Sequence, residues 1–329
     1  MLALSVLDVI PVTASDSPSQ AVRRTVELAR LAEQLGYRRY WFAEHHGMGS
    51  IASAATEVLI AHVAAATTTL RVGSGGVMLP NHAPLRIAEA YCTLEALHPG
   101  RIDLGLGRAP GSDPLASRAL RAVDGGLFPE LLGELLALTG QMEWPDGHWM
   151  RRVKSTPRDA ALPPIWILGS SGASARLAGS AGMGYSFASH FSATDPAPAF
   201  EAYRQSFQPS ANFPRPHTVL GVAVACGATQ EIAEGQAASL GLAWVRIARG
   251  EFLPFPSAEE ALSYPYTAEE RQIADQRRAM TVVGTPDSVR RQLEARAAAC
   301  GADEVMLTIN VPDHAARLAA YEQVMMAFR

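Results

Sequence analysis

The sequence predicts an α/β chain that closes into a (β/α)8 TIM barrel, with insertions after its fourth and seventh strands. Three observations carry that prediction. The first hundred residues alternate short β-rich runs with helical runs over short links, a βαβαβαβ order that means parallel strands joined by right-handed crossovers. The rhythm pauses after Arg108, resumes at Pro164 and brings the count to eight strands. The chain has 329 residues, 48% of them apolar, which suits one large core over residues 1–329 as a single domain; no repeat or linker divides it. A doubly wound open sheet is the alternative.

The elements follow in order. Leu2 to Ile10 is a strand closed by Pro11, and Ser17-Pro18 starts a helix that Gly36 stops. Tyr40, Trp41 and Phe42 suit a pleated surface and lead into Glu44-His45-His46, three titratable residues at a strand end. Ala54 to Thr67 is a helix, Leu70 to Pro80 a glycine-laden strand, Pro84 to Leu97 a helix and Arg101 to Arg108 the fourth strand. An insertion at about 109–163 holds a helix near Leu127 to Leu138 and a small hairpin around Trp144-Pro145-Asp146-Gly147-His148-Trp149, where Asp-Gly signals the turn. Strands at Pro164–Gly169, Met183–Ser189 and Thr218–Cys226 then alternate with helices at Ala173–Ala181, Pro198–Phe207 and Gln230 to Ile247. Gly250 to Gln276, with Pro254, Pro256 and Pro265, reads as a second, irregular insertion. Gly284-Thr285-Pro286 caps a helix to Cys300, Asp303–Asn310 is the eighth strand, and Ala315–Phe328 the closing helix.

Bulk properties exclude several function classes. The net charge is −4 and no Lys/Arg-rich tract occurs, so nucleic acid is not an expected partner. No apolar run is long enough to span a bilayer, and the N-terminus meets Asp8 too early for a signal peptide. Cys92, Cys226 and Cys300 lack metal-ligand spacing, so reduced thiols in a cytoplasmic protein are expected, and no metal site.

Candidate chemistry sits at strand ends. The turn Gly169-Ser170-Ser171-Gly172-Ala173-Ser174 places backbone N–H groups and hydroxyls at a helix start, where a phosphate is favoured; a plain N-cap serves as well. No P-loop lysine follows, so nucleoside triphosphate hydrolysis is not expected. Arg108 adds a cation at the same rim, or a surface ion pair. Gly73-Ser74-Gly75-Gly76 marks a close backbone approach, either to a flat ring or within the barrel. His45 and His46 face opposite ways on a continuing strand, so one of them as a proton donor or acceptor fits better than a joint metal site.

Trp41-Phe42-Ala43-Glu44-His45-His46, Val72 to Pro80, Gly100 to Arg108, Gly169-Ser170-Ser171 and Val283-Gly284-Thr285-Pro286 occur in order and spacing that resemble the bacterial luciferase-like monooxygenases, over nearly the whole chain. The resemblance implies reduced FMN delivered by a separate flavin reductase, O2 activated on the flavin, and a small organic substrate oxidised. It implies His45 as the catalytic histidine and Arg108, Ser170, Ser171 and Ser174 as phosphate ligands, with Gly172 in the same turn. It implies Gly75-Gly76, joined by a cis peptide, under the flavin ring, Ala188 and Ser189 as the facing wall, and Gly250–Gln276 as a mobile lid. A homodimer is also implied. Gly107 stands where the luciferases have a reactive cysteine, and Ser170 where they have an acidic residue, so the chain looks closer to the non-luminescent, single-chain branch. Asp8 and His190, at strand ends, are placed where a substrate could be met. The alternatives are hydride transfer with the deazaflavin F420, a non-catalytic flavin-binding relative and, last, a metal-dependent hydrolase.

Overall fold

Every strand pairing in the structure is parallel, and the pairing closes on itself. The computed structural model describes residues 2–109 and 111–329. Its strands are β1 (Ala3–Asp8), β2 (Arg39–Phe42), β3 (Arg71–Ser74), β4 (Val77–Met78), β5 (Ile102–Gly107), β6 (Ile165–Gly169), β7 (Gly184–Ala188), β8 (Thr218–Cys226), β9 (Val282–Gly284) and β10 (Glu304–Thr308). Eight of them run β10-β1-β2-β3-β5-β6-β7-β8, and the β8–β10 pair shuts the ring; β4 extends beside β5 and β9 beside β8. The result is a TIM barrel, and an open sheet is excluded. Because the strands are parallel, all their C-terminal ends share one rim.

Alternation along the strands decides what lies inside. On β1 and β2, Ser5, Leu7, Arg39 and Trp41 face the interior, while Val6, Asp8, Tyr40 and Phe42 face the helices. Contacts that skip a strand prove the inward set: Arg39 on β2 reaches Asp103 on β5 at 2.8 Å, and Trp41 Nε1 donates to the same carboxylate at 3.0 Å. Arg39 also binds Glu304 at 2.9 Å and lies over the Trp166 ring at 4.5 Å. This paired, fully buried layer plugs the lower barrel. Above it Leu7, Trp41, Trp166 and Met306 form an apolar layer, with the two indoles edge to face at 5.4 Å.

Two local expectations are corrected. Asp146-Gly147 does turn, with Gly147 at φ 77°, but no hairpin forms: the chain enters a 3-10 turn, Trp149–Arg152, and Trp144 stacks on His148 at 4.4 Å. The 250–276 stretch is not irregular. It holds the helix Ala258–Ser263 and the start of the helix Ala268–Met280, because Ser257 and Thr267 each cap the amide of a glutamate three residues on. Its prolines flank those helices and do not interrupt them. No helix among the described residues is long and apolar enough to cross a membrane.

Candidate active site

The backbone after β2 is pinned from four sides. Ala43 N–H donates to Asp8 O (3.0 Å), His45 N–H to Ser53 O (3.0 Å) and His46 N–H to Gly111 O (3.2 Å), while Gly75 N–H donates to Phe42 O (2.7 Å). These bonds aim the His45 ring into a cavity of about 190 Å3 at the rim. Its floor is Val9, Ala43 and Gly75, and its far wall is Leu240, Ala243, Trp244 and Ile247 on the helix Gln230–Ala248, continued by Leu253 and Phe255. Phe255 N–H donates to Val12 O (2.7 Å) and Val12 N–H to Ser50 O (2.9 Å), so three segments are stitched over this side of the mouth.

The lining is apolar except for a few groups, and most of those carry an atom without a partner. His45 Nδ1, His190 Nδ1, Ser50 Oγ, Thr308 Oγ1 and Asn310 Oδ1 are buried polar atoms without a hydrogen bond, and all five residues line this cavity. Buried polar groups are normally satisfied, so a convergent set of unsatisfied ones marks a place built for a ligand. Burial pushes the His45 imidazole down to about 4, with Glu44 opposing. Burial, with His45 nearby, pushes His190 down to about 4 as well. Both rings are therefore neutral at neutral pH, able to accept or donate one proton at Nδ1.

The other expected residues distribute as follows. Arg108, at the end of β5, is exposed and makes no ion pair or hydrogen bond among the described residues; it shares the rim but does not line the cavity. Ser171 caps the helix Gly172–Ser180, and Ser174 Oγ donates to Ser171 O at 2.9 Å and lies 3.2 Å from the Tyr185 hydroxyl. The capping reading of that turn is thus realised, with Ser170 and Gly172 half-buried beside it. Gly75 lines the cavity and Gly75–Gly76 is a cis peptide. The surrounding glycines answer to strand packing: a Cβ on Gly105 would sit 2.1 Å from Ser74 O, and one on Gly76 2.8 Å from Gly105 O.

Asp8, Ala188 and Ser189 lie off this cavity. Asp8 does not meet the cavity. It is fully buried on the helical side, accepting from Ile10 N–H (2.7 Å), Arg317 (2.7 Å) and the Tyr40 hydroxyl, because strand alternation sends its neighbours Leu7 and Val9 inward. Ser189 lines a separate crevice with Met280, Arg296 and Cys300. The chain turns at the end of β7, Ser189 N–H donating to Phe187 O (3.1 Å), so His190 and Phe191 reach the cavity where Ala188 and Ser189 were expected.

Sequence reasoning also missed a cluster. Glu44, 1% exposed, accepts from Met78 N–H (2.9 Å) and Asn81 Nδ2 (3.2 Å) and lies 2.8 Å from His46 Nε2 and 2.9 Å from His82 Nε2. The ligand atoms of Glu44, His46 and His82 fall within 4.8 Å of one another, and His45 is not among them. The separations are those of hydrogen bonds, and they complete the carboxylate's shell. These donors hold Glu44 down at about 2 against the cost of burial, and the carboxylate raises His82 despite burial. His82 is remote in sequence, so spacing gave no signal. Thr308 and Asn310 were legible as an i, i+2 pair at a strand end, and Trp244 only from the helix position it occupies.

The family model for luciferase-like monooxygenases matches residues 2–304. A luciferase-like monooxygenase of Escherichia coli K12 is 41% identical over 327 residues, covering 98% of this chain and 96% of that protein. The crystal structure of apo-MsnO8 superposes with a TM-score of 0.86 at 34% identity, covering 100% and 98% of the two chains. The oxygenating constituent of 3,6-diketocamphane monooxygenase, in complex with FMN, shares the fold at TM-score 0.68 and 19% identity over 100% and 96%.

Proposed function

The chain belongs to the luciferase-like monooxygenase family, and from that premise we propose that it is a monooxygenase using reduced FMN from a separate reductase, and O2, to oxidise a small organic substrate. The carrying observation is the set of five unpartnered polar atoms around one apolar cavity, at the rim that also bears Arg108 and the serine turn. When bound, reduced FMN supplies the electrons that activate O2.

The residues fit that group. Arg108 has a guanidinium free among the described residues to meet the phosphate, helped by Ser170, Ser171, Gly172 and Ser174 at a helix start. Gly75 presents a surface with no side chain on the cavity floor, beside Gly76. His45, neutral and backbone-locked, holds or moves a proton at Nδ1. His190 faces it electrically and completes the polar set. The apolar wall and the 250–276 segment exclude water from the reacting centre. The protein works as a cytoplasmic homodimer.

The test is anaerobic titration with reduced FMN and, separately, with reduced F420. Binding of FMN at roughly micromolar Kd or weaker, as suits a shuttled cofactor, supports the reading. Absence of FMN binding overturns it, and binding of F420 instead moves the chemistry to hydride transfer.

A further inference from the structure

We infer, resting on the oxidative reading above, that the substrate is an uncharged, largely apolar molecule carrying one hydrogen-bonding group, and that carboxylates and sulfonates are rejected. Nothing cationic lines the cavity among the described residues. Its one charged group, Glu251, is half-buried at the mouth and already paired with Arg249 at 2.9 Å. The two imidazoles carry no charge at neutral pH. An anion entering this space would lose its hydration and meet no cation in the lining, with only the Arg277 charge reaching His190 from outside it.

One cation packs against the lining without joining it. Arg277, on the helix Ala268–Met280, lies over the Trp244 ring at 3.7 Å and donates to the Phe191 carbonyl at 3.3 Å. Trp244 and Phe191 both line the cavity and Arg277 does not, so its guanidinium stiffens the wall from behind. The wall of Leu240, Ala243, Trp244, Ile247, Leu253 and Phe255 offers an alkyl or ring system only dispersion and desolvation. Apart from His45 and Ser50, hydrogen-bonding capacity lies on the Thr308, Asn310 and His190 side, where one polar head meets the unpartnered atoms.

Trp244 makes the idea measurable without turnover. Its fluorescence, assigned by comparison with Trp244→Phe, is followed while the protein is titrated with 2-decanone or decanoate, with oxidised FMN present and absent. The ketone is expected to quench Trp244 and to bind at least about ten-fold more tightly than the carboxylate. Ala243→Arg, which puts a cation into the wall, is expected to reverse that order. Equal or tighter binding of decanoate to the native protein overturns the inference, and so does lack of ketone binding in both conditions. FMN titration of the same sample is independent: ketone binding without FMN binding sinks the flavin reading alone.

Discussion

Glu44→Gln tests whether the buried carboxylate next to His45 holds the rim together. Glutamine keeps the shape and one acceptor oxygen for Met78 N–H, but loses the charge that faces His46 and His82. Glu44 is 1% exposed, so solvent does not screen it. A carboxylate held at about 2 in the folded chain, against 4.5, contributes ~3 kcal/mol at neutral pH. The folded value is depressed, so this stability is fully present above 4.5 and lost as pH falls toward 2. His82 works the other way: its folded value is raised, so its share is present below 6.5 and lost as pH climbs through the raised value. The assay is urea unfolding of native and Glu44→Gln protein between pH 7 and pH 3. Other buried carboxylates, such as Asp103 and Glu304, titrate in both proteins and cancel in the difference. The native protein is expected to lead by about 2–3 kcal/mol near pH 6, with the gap closing below pH 4.5. A gap that stays constant down to pH 3, or none at pH 6, refutes the argument that the Glu44 charge is the organising element.

Arg108→Ala is expected to weaken FMN binding about ten-fold or more and leave riboflavin binding unchanged; equal losses mean Arg108 does not meet phosphate. His45→Ala should leave FMN binding intact and slow turnover by about 10²–10⁴, and unchanged turnover removes its role. With His45 and His190 both near 4, kcat/KM should show no inflection around 6.5; one that disappears in His45→Ala contradicts the neutral-imidazole picture. Gly105→Ala drives a Cβ to 2.1 Å from Ser74 O and should cost about 1–3 kcal/mol in thermal unfolding, whereas native stability would mean that β3 and β5 can separate freely.

The barrel was legible because its periodicity is local: each strand and helix announces itself within ten residues, and parallel closure follows from their order. His45 and His190 were legible as strand-end residues. Asp8 was not, since a strand end has two faces and one sequence does not say which turns inward. The choice became visible only with Arg317, 309 residues away, as its partner. Ser189 lies off the cavity because the pleat ends at Ala188 and a tight turn shifts the facing by one residue. The helices Ala258–Ser263 and Ala268–Met280 were in reach: Ser257…Glu260 and Thr267…Glu270 are capping signals that the neighbouring prolines obscured. The Glu44 cluster was out of reach, because it joins the segments after β2 and β3, more than thirty residues apart in sequence, and only the pairing of those two strands brings them together.

That closure also explains why the rim divides its labour. The cavity is met by residues following β1, β2, β3, β7, β8 and β10, whereas Arg108 and the serine turn follow β5 and β6. A phosphate dianion is expensive to dehydrate, and an exposed guanidinium with a helix start binds it without removing all its water. A reacting centre profits from the opposite setting, dry and nearly charge-free, in which one proton on one imidazole has the largest effect. Moving Arg108 into the cavity would add a cation beside His45, depress that imidazole further and invite anions. Keeping the cation on neighbouring strands lets a single molecule, polar at one end and flat at the other, satisfy both halves. The separation of Arg108 from the cavity is therefore what the proposed chemistry requires.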